Sequence, residues 1–311
     1  YNNIEEKIDI NAIAKDKSDS KTIIIGYISP KQNFIDLDLT AHNTRIEFME
    51  SFCSSFMKDV NAYTNGTVKL SGPLNNINMT GMLIVDGTLG ISSLNTYYTL
   101  SNDTIRFIPN EIEFKNDSIF DSNGNYGLIE GGVHHKHLTN LSYDLSIKAN
   151  NLLSFNTNGN NGDSFYGTVY ATGNCKIKGR SGEVTMDINV TPEKNSTIVY
   201  DVSSMNNIST NEFIQWKSSS RDNITSIVDT YDTVKDTVEN IQTTSDMRLN
   251  FLIDCNPNIN IKILMDKQSG DHIALNGNGT LRATYYNKGT FDMFGNYIVD
   301  HGIYKLTMRD I

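Results

Sequence analysis

Over long stretches of this 311-residue chain, every second residue is apolar. Val184–Thr185–Met186–Asp187–Ile188–Asn189–Val190 alternates without a break, and so does Tyr143–Asp144–Leu145–Ser146–Ile147–Lys148–Ala149. Ile259–Asn260–Ile261–Lys262–Ile263–Leu264–Met265 follows the same rule with one lapse, and Ile35–Asp36–Leu37–Asp38–Leu39 repeats it near the N-terminus. Successive side chains of a β-strand point to opposite faces, so each run has one dry and one wet face. Hydrophobic residues make up only 38% of the chain, which suits strands that bury one side and leave the other in water.

Turn dipeptides punctuate these runs. Asn65–Gly66, Asp86–Gly87, Asn123–Gly124, Asn158–Gly159 and Asn161–Gly162 all favour tight hairpins. On the order of 20 strand-like runs result, more than one tight sandwich needs, which points to an extended sheet built as a meander of hairpins. Two segments depart from the pattern. Ile46, Met49, Phe52, Phe56 and Val60 recur at spacings of three and four, which predicts an amphipathic helix over 43–60 capped by Asn43 or Thr44. Ile224, Ile227, Val228, Tyr231, Val234, Val238 and Ile241 share a helical face, predicting a second helix over 222–241, although its many Asp and Thr residues oppose it. The stretch around Val202–Ser220 is polar and reads as a linker. The expected organisation is a first β block over 1–205, a linker with its possible helix over 206–243, and a C-terminal β block over 244–311. Both blocks can belong to one sheet.

A formal net charge of −10 disfavours nucleic acid and anionic membrane surfaces as partners. No apolar run reaches the length of a membrane-spanning helix. The sequence opens at Tyr1 without Met or a signal-like segment, so any leader or anchor is expected upstream. Cys53, Cys175 and Cys255 are an odd number with no CxxC spacing, and each is expected as a small buried side chain.

Residues capable of chemistry have plain alternatives. His135 and His137 fall on one strand face, but Glu130 is the only carboxylate close by, and a polar strand end explains the cluster better than a metal site. Asp121–Ser122–Asn123–Gly124–Asn125 opens like a calcium loop, yet Tyr126 and Gly132 stand where that loop needs Gly and Glu, which favours a hairpin turn. Gly277–Asn278–Gly279 lacks the helix and Lys of a phosphate-binding loop, and Ser164 is not in a nucleophile elbow. With no local pairing of nucleophile and base, no enzymatic activity, cofactor or metal is expected.

Several blocks resemble a known family. They are Ile261–Lys262–Ile263–Leu264–Met265–Asp266–Lys267–Gln268–Ser269–Gly270–Asp271, Leu275–Asn276–Gly277–Asn278–Gly279–Thr280–Leu281–Arg282, Gly289–Thr290–Phe291–Asp292–Met293–Phe294–Gly295–Asn296–Tyr297 and Gly302–Ile303–Tyr304–Lys305–Leu306–Thr307–Met308. Phe165–Tyr166–Gly167–Thr168–Val169–Tyr170–Ala171–Thr172–Gly173, with Ile177–Lys178–Gly179, and Gly66–Thr67–Val68–Lys69–Leu70–Ser71–Gly72–Pro73–Leu74 add two more. In this order they resemble the C-terminal region of TamB proteins of Bacteroidetes-type envelopes, over most of the chain except roughly 205–243. The resemblance implies an all-β fold: an elongated sheet curled into a U-shaped trough, or β-taco, with further strands beyond Ile311. It also implies a periplasmic protein anchored in the inner membrane, with phospholipid acyl chains as cargo and a BamA-superfamily outer-membrane barrel (TamA-like) as partner.

The candidate lining is the apolar phase of the clearest strands. In the first block it comprises Ile35, Leu37 and Leu39, Val68 and Leu70, Leu145 and Ile147, and Val184, Met186 and Ile188. In the second it comprises Ile261 and Ile263, Leu281, and Phe291 and Met293. Alternation alone would equally let these side chains fill a closed sandwich or barrel; only the resemblance implies an open trough. Two functions follow from it, a conduit for phospholipid between the membranes and a chaperone whose exposed sheet edges pair with outer-membrane barrel strands. A glycan-binding solenoid adhesin is a third class, but no strict repeat supports it.

Overall fold

The computed structural model describes residues 7–15, 20–47, 57–137, 139–159, 165–180, 182–203, 246–288 and 291–307. Within these residues the fold is all-β, with no helix and hence none able to cross a membrane. The strands are β1 (Ile8–Lys15), β2 (Lys21–Ser29), β3 (Phe34–Arg45), β4 (Met57–Pro73), β5 (Asn78–Ile91), β6 (Thr96–Ile108), β7 (Glu111–Phe120) and β8 (Tyr126–Lys136). They continue as β9 (Thr139–Thr157), β10 (Phe165–Arg180), β11 (Glu183–Pro192), β12 (Ser196–Asp201), β13 (Asp246–Cys255), β14 (Ile259–Asp266), β15 (Asp271–Tyr286) and β16 (Phe291–Lys305). All sixteen belong to one sheet.

From β1 to β11 each strand pairs antiparallel with the next, a hairpin meander. Beyond it, strands lie end to end. Residues of β11 pair with Ala171–Arg180 of β10, while those of β12 pair with Phe165–Thr168 of the same strand. β13 and β14 run parallel beside β11 and β12, and β15 runs antiparallel across both. The two interruptions therefore sit side by side, and each carries a proline that cannot give an N–H to the ladder: Pro192 at the end of β11 and Pro257 between β13 and β14. Asn256 donates its amide to the Pro192 carbonyl at 3.0 Å, and Glu193 N–H reaches Tyr170 O at 2.8 Å. With two end-to-end pairs the sheet has fourteen tiers. At a strand spacing of about 4.8 Å it extends about 60 Å, shorter than the run count in the sequence suggests.

A line of bulges bends the strands. Asn43, Asp59, Asn102, Asn116 and Asn151 have φ between 47° and 56°. The pairing register slips beside each of them. Asn and Asp tolerate this left-handed conformation best among residues with a side chain. Several of the N–H groups freed from the ladder find side chains on an adjacent strand: Asn43 N–H meets Asn65 Oδ1 and Asn102 N–H meets Asp86 Oδ1, both at 2.8 Å, and Asn151 N–H meets Thr172 Oγ1 at 2.9 Å. Bulges increase twist and bend. The bend is strong enough that β6 and β9, three tiers apart, meet beyond the β7–β8 turn. Asn156 N–H donates to Leu94 O at 2.9 Å, and the Tyr98 hydroxyl donates to Leu153 O at 2.9 Å.

That curvature explains the core. No helix or second sheet covers this one among the described residues, yet Val85 is 1% exposed, Leu152 3% and Ile119 4%. The sheet curls over its own face, giving a U-shaped cross-section. Among the described residues the outermost strands β1 and β16 pair only with β2 and β15, so the ladder is open there.

The helix predicted over 43–60 is not what the described part of that segment forms. Asn43–Arg45 end β3 and Met57–Val60 begin β4, while 48–56 lie outside the described residues. Pairing with β2 and β5 overrides the local period, and Ile46 and Val60 still bury apolar surface in the same cluster. The linker and the second helix lie almost wholly outside the described residues. Two expected turns are also corrected: Asn65–Gly66 and Asp86–Gly87 sit inside β4 and β5. Their glycines serve close strand approach instead. A Cβ on Gly87, at φ 148°, would stand 2.4 Å from Ala62 Cα and from Asn61 O.

Candidate functional site: the dry face of the sheet

Directly paired residues of neighbouring strands share a face, so the register carries one face across the whole sheet. Leu37 pairs with Leu70 and Leu39 with Val68. Through β5 and β6 this face continues as Val68 with Gly81, Gly81 with Phe107, and Phe107 with Ile112. Ile112 pairs with Val133 and Val133 with Tyr143. In β9, Leu145 and Ile147 pair with Ile177 and Cys175, which pair with Met186 and Ile188. Ile188 pairs with Phe251 and Phe251 with Ala283, whose partner in β16 is Met293. Ile261 and Ile263 pair with Leu275 and Ile273, which are in phase with Leu281 along β15. Ile35 and Val184 are in phase with their strand neighbours, and Phe291 occupies the register position opposite Tyr285. The candidate lining positions thus fall on a single side of one sheet.

This side is unevenly covered. Ile35, Leu37, Val68, Val184 and Met186 are buried, whereas Leu39, Leu70, Leu145, Ile147, Ile188, Ile261, Ile263 and Leu281 are half-buried. Met293 is 48% exposed. A sealed core hides its inward side chains throughout. Here three small clusters of buried residues pack together, and others such as Ile35, Leu37 and Val68 are buried outside them. One cluster is built on Val60, Ala62 and Val85, one on Tyr98, Ile119 and Leu152, and one on Val184, Met186 and Leu249. Between and beyond them apolar surface stays accessible.

Apart from Val60, which was expected on a helix, the buried residues of the first two clusters carry no clear signal in the sequence. Val85 lies in Met82–Leu83–Ile84–Val85, where both faces are apolar and alternation is invisible. Val60, Leu100 and Leu152 sit next to bulges that shift the phase. The bulge-forming Asn and Asp residues were the available signal, but in the sequence they look like turns.

Polar groups on or under the dry face are structural. Asp121, 4% exposed, accepts the N–H groups of Asn123, Asn125 and Leu153 at 2.8–3.0 Å, so the β7–β8 turn anchors the point where β6 and β9 meet. Asp103 and Asp117, both 7% exposed, fill a gap in the β6–β7 ladder reciprocally. Asp117 accepts from Thr104 and Lys115 N–H, and Asp103 from Ser118 and Ser101 N–H. Burial raises the Asp103 carboxyl above its usual range despite those donors, and the neighbouring Asp117 and Asp86 charges add to the rise. Burial pushes the Tyr98 hydroxyl up to about 12 and the Cys175 and Cys255 thiols up to about 11. Both thiols are free, and Cys53 lies outside the described residues. His135 is lowered by burial, then by His137 and His134. Among the described residues no three His, Cys, Asp or Glu side chains are grouped to hold a metal ion.

Two further features bear on function. β16 is a 15-residue edge strand with exposed apolar side chains on both sides, among them Phe294 at 68%, Ile298 at 72% and Ile303 at 70%. The opposite, wet face of β9–β16 carries two shallow concavities lined by Lys148, Asn174, Asn189, Arg282 and Phe294.

Compared with known proteins, the chain matches the family model described as the TamB C-terminal domain over residues 115–310, more than half its length. Neither the curated proteins nor the solved structures contain a match.

Proposed function

Because the chain belongs to the TamB C-terminal domain family, whose members act in the cell envelope, we propose that its dry face carries phospholipid acyl chains across the periplasm. The observation behind this reading is a single apolar face that runs by register from β3 to β16 and is only partly hidden.

The physics of the cargo favours such a surface. Exposing the roughly 30 methylene groups of a two-chain lipid to water costs about 25 kcal/mol at about 0.8 kcal/mol each. A trough that covers the tails removes most of that cost and leaves the headgroup in water. Movement along it requires low ridges, and repeated Val, Ile and Leu on paired strands supply similar contacts from tier to tier. On this reading the protein is a conduit and not an enzyme. It is held at the inner membrane by a segment upstream of Tyr1, and delivers towards a BamA-superfamily barrel in the outer membrane.

The test is a pair of adjacent substitutions. Ile188 is half-buried on the dry face, and Asn189 is exposed on the wet face of the same strand. Ile188→Arg is expected to abolish phospholipid co-purification with the protein while Asn189→Arg leaves it unchanged, both with wild-type circular dichroism. Equal lipid content in the two variants contradicts the conduit. Unfolding of Ile188→Arg supports a sealed core instead.

The β16 edge favours a second reading. A long apolar edge that no other described strand covers is a template for another strand. Under this reading the protein holds unfolded barrel strands by strand addition. Saturable binding of such strands that is lost in Ile298→Lys and kept in Ile188→Arg would favour it.

A further inference from the structure

The wet face of β9–β16 carries a straight cross-strand row. Lys148 pairs with Asn174, Asn174 with Asn189, Asn189 with Leu252, Leu252 with Arg282 and Arg282 with Phe294, one residue from each of six neighbouring strands. Two concavities follow it. One of about 630 Å³ spans β9 to β15 and includes Lys148, Lys176, Asn189 and Arg282. The other, of about 380 Å³, continues from Arg282 past Phe294 and Asn296. They share Arg282, so one shallow channel crosses the strands.

The charges in this channel are unusual for an acidic chain. Lys148 is 3.5 Å from Glu130, a loose pair. Lys176 stands opposite Asp187 in the register, but the Asp187 carboxylate accepts the Asn250 amide at 2.8 Å. Among the described residues neither Lys176 nor Arg282 has an ion pair. Asn174 and Asn189 are exposed and offer both donors and acceptors, and Phe294 lends an apolar ring beside Arg282.

From this arrangement we propose that the channel binds a linear acidic glycan whose alternate sugars carry a carboxylate. The row has the repeat such a polymer needs. Strands are spaced by about 4.8 Å, close to the advance of one sugar along a β-linked chain. Lys148 and Arg282 are four tiers apart, an even number, so carboxylates on every second sugar meet both. Amides between them match hydroxyl and acetamido groups, and Phe294 matches a sugar's apolar face. Single, separated cations suit singly charged carboxylates better than clustered phosphates. The cations and amides that would hold the glycan, Lys148, Asn174, Lys176, Asn189 and Arg282, are all on the wet face, so binding there is separable from lipid transport along the dry face.

The test uses the full chain and a hyaluronan octasaccharide, a defined polymer with carboxylates on alternate sugars, against a neutral chitin oligomer of similar length. Titration calorimetry is expected to show saturable binding of the acidic oligomer, at least about tenfold weaker for the neutral one and for the Lys148→Ala/Arg282→Ala double variant. Ile263→Arg, on the dry face and outside both concavities, is expected to keep the affinity. Absence of binding, equal affinity for both oligomers, equal affinity for polyglutamate, or an unaffected double variant of wild-type circular dichroism would each overturn the proposal.

Discussion

Asp121 shows at the scale of one residue how the curl is held. Its carboxylate takes three backbone N–H groups at the turn between β7 and β8, one of them from Leu153 across the junction. Asp121→Ala strands those donors out of reach of a partner, at about 1–3 kcal/mol for each that stays buried. The expected loss is about 3 kcal/mol or more, read as a lower midpoint in urea unfolding. Asp103 gives a pH dependence of opposite origin. Its carboxyl is raised in the folded state, so the folded protein holds that proton more tightly than the unfolded chain. Its contribution to stability is present below the unfolded value near 4 and fades as pH rises through the folded value. The stability difference between wild type and Asp103→Asn, measured by urea unfolding at successive pH values, is expected to shift against wild type as pH rises from about 4. Neither role is legible in the sequence. Asp121–Ser122–Asn123–Gly124 reads correctly as a turn, but nothing local says that its first carboxylate also reaches a strand more than thirty residues away.

Single strands were largely legible, and their interruptions were not. Val184–Val190 and Leu145–Ala149 fall in β11 and β9 in the phase that alternation gives. The period-two rule fails where a bulge inserts a residue, as at Asn102 and Asn116, because the phase flips without any change in composition. It fails again at Asn65–Gly66 and Asp86–Gly87, where a dipeptide suited to turns sits in mid-strand. Gly87→Ala tests the second case: with φ at 148° and Ala62 Cα 2.4 Å from the new Cβ, it is expected to cost about 1–3 kcal/mol. The helix expected over 43–60 gave way, at its described ends, to pairing across β3, β4 and β5. At the other end of the sheet, β16 presents Ile298 and Ile303 to solvent on an edge that no other described strand covers. Ile298→Lys is expected to reduce self-association in size-exclusion chromatography, with a stability change within about 0.5 kcal/mol of wild type.

Viewed as a whole molecule, the sheet divides its labour between two faces. Register places Leu37, Leu70, Ile147, Met186, Ile188 and Leu281 on one side, although they come from strands far apart in sequence. Alternation alone could name these positions but not say whether the side they share is sealed. Closure depends on how far fourteen tiers curl, and that is set by bulges and by the β6–β9 contact. The conduit reading rests on half-buried residues such as Leu145, Ile188 and Ile263 remaining within reach of a hydrocarbon chain. A photo-reactive amino acid placed at Ile188 in the full-length protein in cells, with Asn189 as the neighbouring control, tests this most directly. Ultraviolet light is expected to couple phospholipid to position 188 and not to 189. Coupling to protein side chains alone at 188, or lipid at both positions equally, would contradict it.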